Sequence, residues 1–502
     1  LSGIPIFPVS CVTGNGVGAL RNYLEIEALK LDQPASSGYF RLSIDRFFTV
    51  AGAGVVVTGA VYSGSVCIGD QLVLSPLGIK VRVRSIHAQN KVSKIGLTGQ
   101  RCALNIVGSR LELSSINRGC WLVHSNLHSP SFRLDAIVYI HGNTMKSLKH
   151  WTPVHMHLGA GSFTARVAVL QGGSIQAGDQ GLAQLVLDKP TSTICGDRLI
   201  LRDQSAKRTI GGGVIIDPQS PTRGRARPKR ISWLKAMSKG DVGRVLSQLL
   251  EEIPEGINLS KFNQSWNLTE LEAKQLYADL SIRVINGDSV CWGVSEGHWQ
   301  GHKKVIIGIV SNWHLERPKT NGIFERELEK KMTIRLPVNV LRKLVSDLIR
   351  SGELFHNGFA LSLPAHNRDP SQDDIVLWAE VIDIIGTSNM CPPRIRELSE
   401  KLKIPQTEIK PFLDRCAYFG WLIKVTPNRY FTPCGVLALA HIAEILALQS
   451  SDGEFNPSDY RDRSGIGRNL TIQVLEFFDT AGLTKRTSKG RRMKCKVRDL
   501  NF

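Results

Sequence analysis

An acid and a base stand side by side at Asp45 and Arg46, between apolar neighbours in the stretch Phe40 to Gly64. Adjacent opposite charges can bind each other or hold a charge ready for a ligand; on spacing alone they read as an intramolecular ion pair at a barrel rim. A second concentration of charge lies near the C-terminus. There Arg468, Asn469 and Gln473 face outward from an amphipathic segment, and the residues after it include Lys485, Arg486, Lys489, Arg491, Arg492, Lys494 and Lys496. Cations at a helix start and along adjoining strands make one positive surface, which suits the phosphates of an RNA or DNA backbone. Other chemistries lack their residues. Nucleotide hydrolysis needs a glycine-rich loop ending in Gly-Lys-Ser/Thr, whose amides and lysine cradle phosphates while the hydroxyl holds magnesium. No such loop occurs, and the glycine-rich run Ala51 to Gly59 has no lysine, so its glycines read as bend residues. The ten cysteines are scattered without a CxxC pair, which favours reduced structural thiols over a zinc site. His155 and His157 would share one face of a strand, but no third ligand accompanies them, and no metal is expected.

Composition sets the frame for these groups. The chain has 502 residues, 42% hydrophobic and 21% charged, which describes several globular domains and excludes a disordered or fibrous protein. A net charge of +19 points to a polyanionic partner. No apolar run is long enough to span a bilayer, and the N-terminus lacks a signal sequence, so a cytoplasmic protein with no membrane partner is expected.

The elements that must position the charges follow from hydrophobic periodicity. Ile4 to Val9 reads as a strand, followed by a turn with Gly14 and Gly16 and a helix from about Val17; this half of an α/β unit suggests a fragment of a larger domain. Phe40 to Gly64 alternates as a strand, bends at Gly52 and Gly54, resumes at Val55 to Val57, and turns again at Gly59 and Gly64. Short strands continue to about Val123 and, in a second series, from Phe132 to Asp217, ending in TIGGGVIIDP; two antiparallel barrels are predicted. A basic linker from Pro221 to Arg230 follows, either solvated or available as a phosphate-contacting strap. Beyond it, segments starting at Leu271, Leu341, Ile409 and Thr471 repeat at an interval of about 65 residues, the size of a small domain. Each is an amphipathic helix running into two short strands, with Gly352, Gly420 and Gly482 at three of the helix ends. Four winged helices, a helix-turn-helix variant, are predicted in tandem. In the last, Thr471, Val474, Leu475 and Phe478 fall at i, i+3, i+4 and i+7 and should pack inward. The first three lack an equal basic cluster and read as spacers or scaffold.

Several motifs carry a resemblance across essentially the whole chain: IDRFFTVAGAGVVVTG from Ile44, IHAQN from Ile86, GQRCALNIVG from Gly99, INRGCWLV from Ile116, TIGGGVIIDP from Thr209 and RDRSGIGRNLTIQVLEFFDTAG from Arg461. Together they resemble the bacterial selenocysteine-specific elongation factors of the SelB type, without most of the GTPase domain. The resemblance implies the C-terminal remnant of an α/β GTP-binding domain over residues 1–33, translation-factor β-barrels over 38–125 and 131–219, and α+β winged helices over 226–300, 301–366, 371–432 and 433–502. It implies a translation elongation factor, expected as a monomer, that carries selenocysteinyl-tRNA to the ribosome and is recruited by an mRNA hairpin beside a recoded UGA codon. GTP and Mg2+ serve the full-length family; hydrolysis is not expected of these residues alone. VSCVTGNGV resembles the last guanine-contacting motif of translational GTPases, so Ser10 and Cys11 would touch the base; the family usually has alanine after the serine, and a backbone contact tolerates the change.

By the same resemblance Asp45, Arg46 and Arg101 form the selenocysteinyl pocket on the first barrel. A selenol is far more acidic than a serine hydroxyl, so fixed positive charge can select the selenolate by charge and not by size. Asp45 would orient the guanidinium groups and moderate the attraction for anions in general. The last winged helix would bind the hairpin through Arg461, Arg468, Asn469, Lys485, Arg486 and Arg491. Two other classes stand beside this reading. Another translational GTPase would share the barrels without the four winged helices, and a winged-helix regulator of DNA would have no use for the barrels or the TIGGG signature.

Overall fold

The computed structural model describes residues 5–30, 37–50, 54–109, 111, 116–144, 146–287, 290–318, 320, 322–357, 360–364, 370–387, 389–450, 452–488, 490–494 and 497. Ile4, Gly52, Lys489, Cys495 and Lys496 lie outside them. Two compact units form, Leu1–Leu249 with Asn258–Leu280, and Leu250–Ile257 with Ser281–Phe502. Among the described residues no helix is long and apolar enough to cross a membrane.

In the first unit, residues 5–9 carry no regular structure where a strand was expected. Pro5 and Pro8 withhold the N–H groups a ladder needs. The following turn leads into the helix Val17–Lys30. The first barrel closes through six strands in the order Gln71–Ser75, Trp121–Val123, Arg41–Val50, Gly54–Ser63, Arg101–Val107 and Ile79–Ala88, the last pairing back to the first. Leu42, Ile44, Val57, Val61, Leu104 and Ile106 fill its interior. Gly59 is not a turn. It lies inside a strand, where a β-carbon would press on the Ser43 carbonyl, so glycine is what lets the two strands meet there.

The second barrel closes in the order Ser131–Ile140, Gln180–Thr191, Gly161–Val169, Thr152–Leu158, Arg198–Arg202 and Thr209–Asp217. The TIGGG segment is the closing strand. β-Carbons at Gly211 and Gly213 would press on the carbonyl oxygens of Tyr139 and Ile137 in the neighbouring strand. Arg41 joins the barrels, donating to both carboxylate oxygens of Asp197, at 3.1 and 2.6 Å, and lying over the Trp121 ring. The basic linker is neither wholly solvated nor wholly free for phosphate. Arg225 donates to Gln184 and lies over Trp151, while Arg230 inserts between the buried carboxylates of Asp135 and Asp217.

Helices then alternate with wing hairpins. Glu270–Asp279 precedes Arg283–Asn286 and Cys291–Val294; Val338–Arg350 precedes Phe355–Asn357 and Ala360–Ser362; Gln406–Tyr418 precedes Ile423–Thr426 and Arg429–Phe431; Arg468–Ala481 precedes Thr484–Arg486 and Arg491–Met493. Gly352, Gly420 and Gly482 follow three of these helices at positive φ, the left-handed conformation that ends a helix without strain. The helix Glu296–Glu316 runs through residue 300, so a domain boundary between 300 and 301 falls inside it. Ser295 caps its start, and Trp299, Ile306, Val310 and Trp313 bury one face against the helix Val338–Arg350 and its wing.

Within the first unit the helices Leu259–Trp266 and Glu270–Asp279 dock on the first barrel. Asn267 accepts from the Tyr39 amide at 2.9 Å and donates to Ser63 at 2.9 Å, and Glu272 accepts from the Gly38 amide at 3.1 Å. At the N-terminus of the second of these helices, which faces the groove in a helix-turn-helix bound to DNA, Glu272 is tied to the barrel while Glu270 and Leu271 stay exposed.

Candidate functional site

The strand Arg41–Val50 carries one extra residue relative to its partner. Ile44 pairs with Gly59 and Arg46 with Thr58, which leaves Asp45 as a β-bulge. The bulge changes the alternation. Ile44 and Phe47, three residues apart, both pack on the barrel interior, so Asp45 and Arg46 both turn outward. The charges are therefore not buried between apolar neighbours: Asp45 is partly buried and Arg46 is exposed.

Arg101 reaches the same face from the next strand but one, because its register partner Ala60 points outward. Asp45 takes Arg101 as its partner in place of the adjacent Arg46. Both guanidinium nitrogens Nη1 and Nη2 donate to the carboxylate, Nη2 to Oδ1 at 2.9 Å. Thr58 adds a third donor, its hydroxyl reaching Asp45 Oδ1 at 2.9 Å. Partial burial pushes the Asp45 carboxyl up, but the hydrogen bonds from Arg101 and Thr58 and the charges of Arg101 and Arg46 outweigh it and hold the group below its ordinary value. Asp45 and Arg101 thus compensate each other, whereas Arg46 has no hydrogen-bonded partner among the described residues. Thr58 escaped sequence reading, since a threonine in a strand carries no signal until register places it opposite a bulge.

The second cluster is built by the last two helices and the wing after them. The helix Pro457–Ser464 ends at Gly465 in the left-handed conformation, and Gly467 opens the helix Arg468–Ala481 without a side-chain cap. The first amides of that helix are left pointing outward at its positive end, beside exposed Arg468 and Asn469. Thr471, Val474, Leu475 and Phe478 are buried along the opposite face. Lys485 and Arg486 are exposed on the wing, and Arg461 is exposed but hydrogen-bonded to Asp462 at 2.6 Å.

Arg491 does not join them. It is 6% exposed, and its Nε donates to Asp479 at 3.0 Å. The strand alternates, so its neighbour Arg492 takes the outer face with 57% of its side chain exposed, opposite Lys485 and 3.4 Å from Glu454. Period-two alternation separates Arg491 from Arg492 in the sequence, but only the half-buried Asp479 tells which of the two turns in.

Ser10 and Cys11 lie at the turn before the first helix. Ser10 donates its amide to Asn15 and accepts from the Gly14 amide at 2.9 Å, and Cys11 is exposed. Among the described residues no group of three metal-type ligands converges, and His155 is hydrogen-bonded to the Gln204 carbonyl.

Comparison with known proteins agrees with this architecture. The family model described as the selenocysteine-specific elongation factor β-barrel domain matches residues 135–222, and that described as the elongation factor SelB winged helix matches residues 447–493. The chain is 32% identical over 484 residues to the selenocysteine-specific elongation factor of Escherichia coli K12, covering 96% of this chain and 74% of that protein. It is 28% identical to the Haemophilus influenzae protein of the same name, covering 96% of this chain and 75% of the relative. A crystal structure of a bacterial selenocysteine-specific elongation factor, 20% identical, shares the fold with a TM-score of 0.56, covering 96% of this chain and 74% of that one.

Proposed function

The chain belongs to the selenocysteine-specific elongation factors, and we propose that it delivers selenocysteinyl-tRNA to the ribosome at recoded UGA codons, holding the aminoacyl group on its first barrel and an mRNA hairpin on its last winged helix. The observation that carries this reading is the imbalance of charge beside the bulge. Asp45 and Arg101 satisfy each other, and Arg46 faces outward with no hydrogen-bonded partner among the described residues. A selenolate gains from that cation, whereas a neutral serine hydroxyl does not, and partial exclusion of water strengthens the difference. Specificity then comes from the charge of the side chain, which size could not supply for groups so alike.

The family uses GTP, and Ser10 and Cys11 are proposed to meet the guanine edge at their turn. The turn is open enough for that contact, since Cys11 is exposed. Nothing in these 502 residues forms a Gly-Lys-Ser/Thr loop to cradle the phosphates, so neither the magnesium nor any hydrolytic step is assigned to a residue here.

On the last winged helix, Arg461, Arg468, Asn469, Lys485 and Arg486 are proposed to contact the hairpin, with Arg492 taking the place expected of Arg491. On the wing Lys485 lies across from Arg492, and both are exposed on its outer face, so that two cations stand side by side there even with Glu454 3.4 Å from Arg492. A-form RNA hides its major groove, so these groups suit backbone phosphates and an unstacked loop base. Regulation of DNA transcription would leave the two barrels and the TIGGG strand without a use.

Binding of the full chain to an RNA hairpin and to duplex DNA at matched salt tests this arm. Hairpin binding should be tighter and should depend on loop sequence. Lys485→Ala and Arg492→Ala should each lower the salt dependence of hairpin affinity by about one unit of slope, as expected for lost phosphate contacts. Equal affinity for both nucleic acids, or indifference to loop sequence, would contradict the assignment.

A further inference from the structure

The pocket holds a hydroxyl that neither the charges nor the barrel core explains. Thr58 sits directly across from Arg46 in the register, on the outward face, while its neighbours Val57 and Gly59 face inward. Its Oγ1 donates to Asp45 Oδ1 at 2.9 Å and lies 3.4 Å from Arg101 Nη2, which itself donates to that same carboxylate oxygen at 2.9 Å. One hydroxyl thus touches both members of the pair. The side chain is β-branched and lies in a strand, so its rotamer is restricted and the hydroxyl is presented in a fixed direction.

Asp45 has two arginines within its electrostatic reach, since both Arg101 and Arg46 act on its carboxyl. Only Arg101 is hydrogen-bonded to it. Arg46 is the next residue along the chain, so a carboxylate freed to move could turn to either. Its position decides whether the pocket presents a bare cation or a second neutral pair.

We propose that Thr58 is a positioning residue of this pocket, its hydroxyl tethering Asp45 to Arg101 and so leaving Arg46 free to meet the selenolate. The inference rests on the aminoacyl-pocket reading above. Without the hydroxyl, the carboxylate is shared between the two arginines and Arg46 loses part of its pull on an anionic ligand. A methyl group at that position cannot restore the tether, whereas any hydroxyl on the same β-carbon can.

The test compares the full chain with Thr58→Val and Thr58→Ser, measuring affinities for selenocysteinyl-tRNA and seryl-tRNA at neutral pH. Valine keeps the shape and the strand preference of threonine, so thermal melting of that variant should stay close to that of the parent. The ratio of the two affinities should fall about tenfold in Thr58→Val, the scale of one lost hydrogen bond to a charged group, and should be restored in Thr58→Ser. A change in the ratio without a change in melting separates positioning from a structural role. A parent chain that prefers neither tRNA overturns the pocket reading and this inference together. A parent that discriminates, with Thr58→Val discriminating equally well or Thr58→Ser failing as badly as Thr58→Val, overturns the inference alone.

Discussion

Arg46→Ala is expected to lower the preference of the full chain for selenocysteinyl-tRNA over seryl-tRNA by about ten- to a hundredfold, with little change in the affinity for seryl-tRNA itself. The asymmetry follows from the bulge. Arg46 is the cation beside Asp45 that no carboxylate hydrogen-bonds among the described residues, so its removal leaves the mutually neutral Asp45–Arg101 pair facing the ligand. Arg101→Ala should also reduce the preference, by a different route: Asp45 loses its bidentate partner and becomes free to neutralise Arg46. Paired affinity measurements on the two variants check this. If both variants kept the parent's preference, the pocket would lie elsewhere.

Arg230→Ala is expected to destabilise the second barrel by about 3–5 kcal/mol, because it strands two buried carboxylates with no counter-charge. The Asp135 side chain is 0% exposed and that of Asp217 5%, and Arg230 bonds both. The melting temperature should drop by on the order of 10 °C or more. A sign follows for pH. Burial already pushes the Asp135 carboxyl up against the pull of Arg230, and removal of the arginine raises it further. Protonation then relieves the buried charge, so the deficit should be largest at neutral pH and shrink as pH falls through the raised value. Thermal melts at several pH values decide the matter; a deficit independent of pH would mean that Arg230 acts through packing on Trp233, over whose ring it lies.

The sequence carried the elements whose apolar residues repeat with a clear period. The helix Arg468–Ala481 buries the four residues its spacing nominates, and the glycines at 352, 420 and 482 stop helices because only a left-handed residue ends them cheaply. What escaped depended on neighbours remote in the chain. Nothing local distinguishes a bulge at Asp45 from plain alternation, yet the bulge decides that both charges face out. Gly59 looks like a turn residue until the strand beside it brings the Ser43 carbonyl against its α-carbon. Arg491 and Arg492 are chemically the same, and a carboxylate on the preceding helix selects which is buried. Arg230 reads as part of a basic run that is either solvated or a phosphate-contacting strap, whereas its partners Asp135 and Asp217 come from two strands of the second barrel. In each case period and composition named the residue type, and tertiary contact assigned its role.

The central claim is discrimination by charge, and the ratio of affinities of the full chain for selenocysteinyl-tRNA and seryl-tRNA, followed through an acid titration, tests it most directly. Arginines stay charged throughout, and Asp45, held below the ordinary carboxylate value, stays ionised until the solution is more acid than that value. The selenol of the ligand is then the group that titrates between neutrality and that limit. The account predicts a ratio well above unity at neutral pH that falls towards unity as the selenolate is protonated. A ratio of unity at neutral pH, or a preference that persists unchanged once the selenol is neutral, would contradict it.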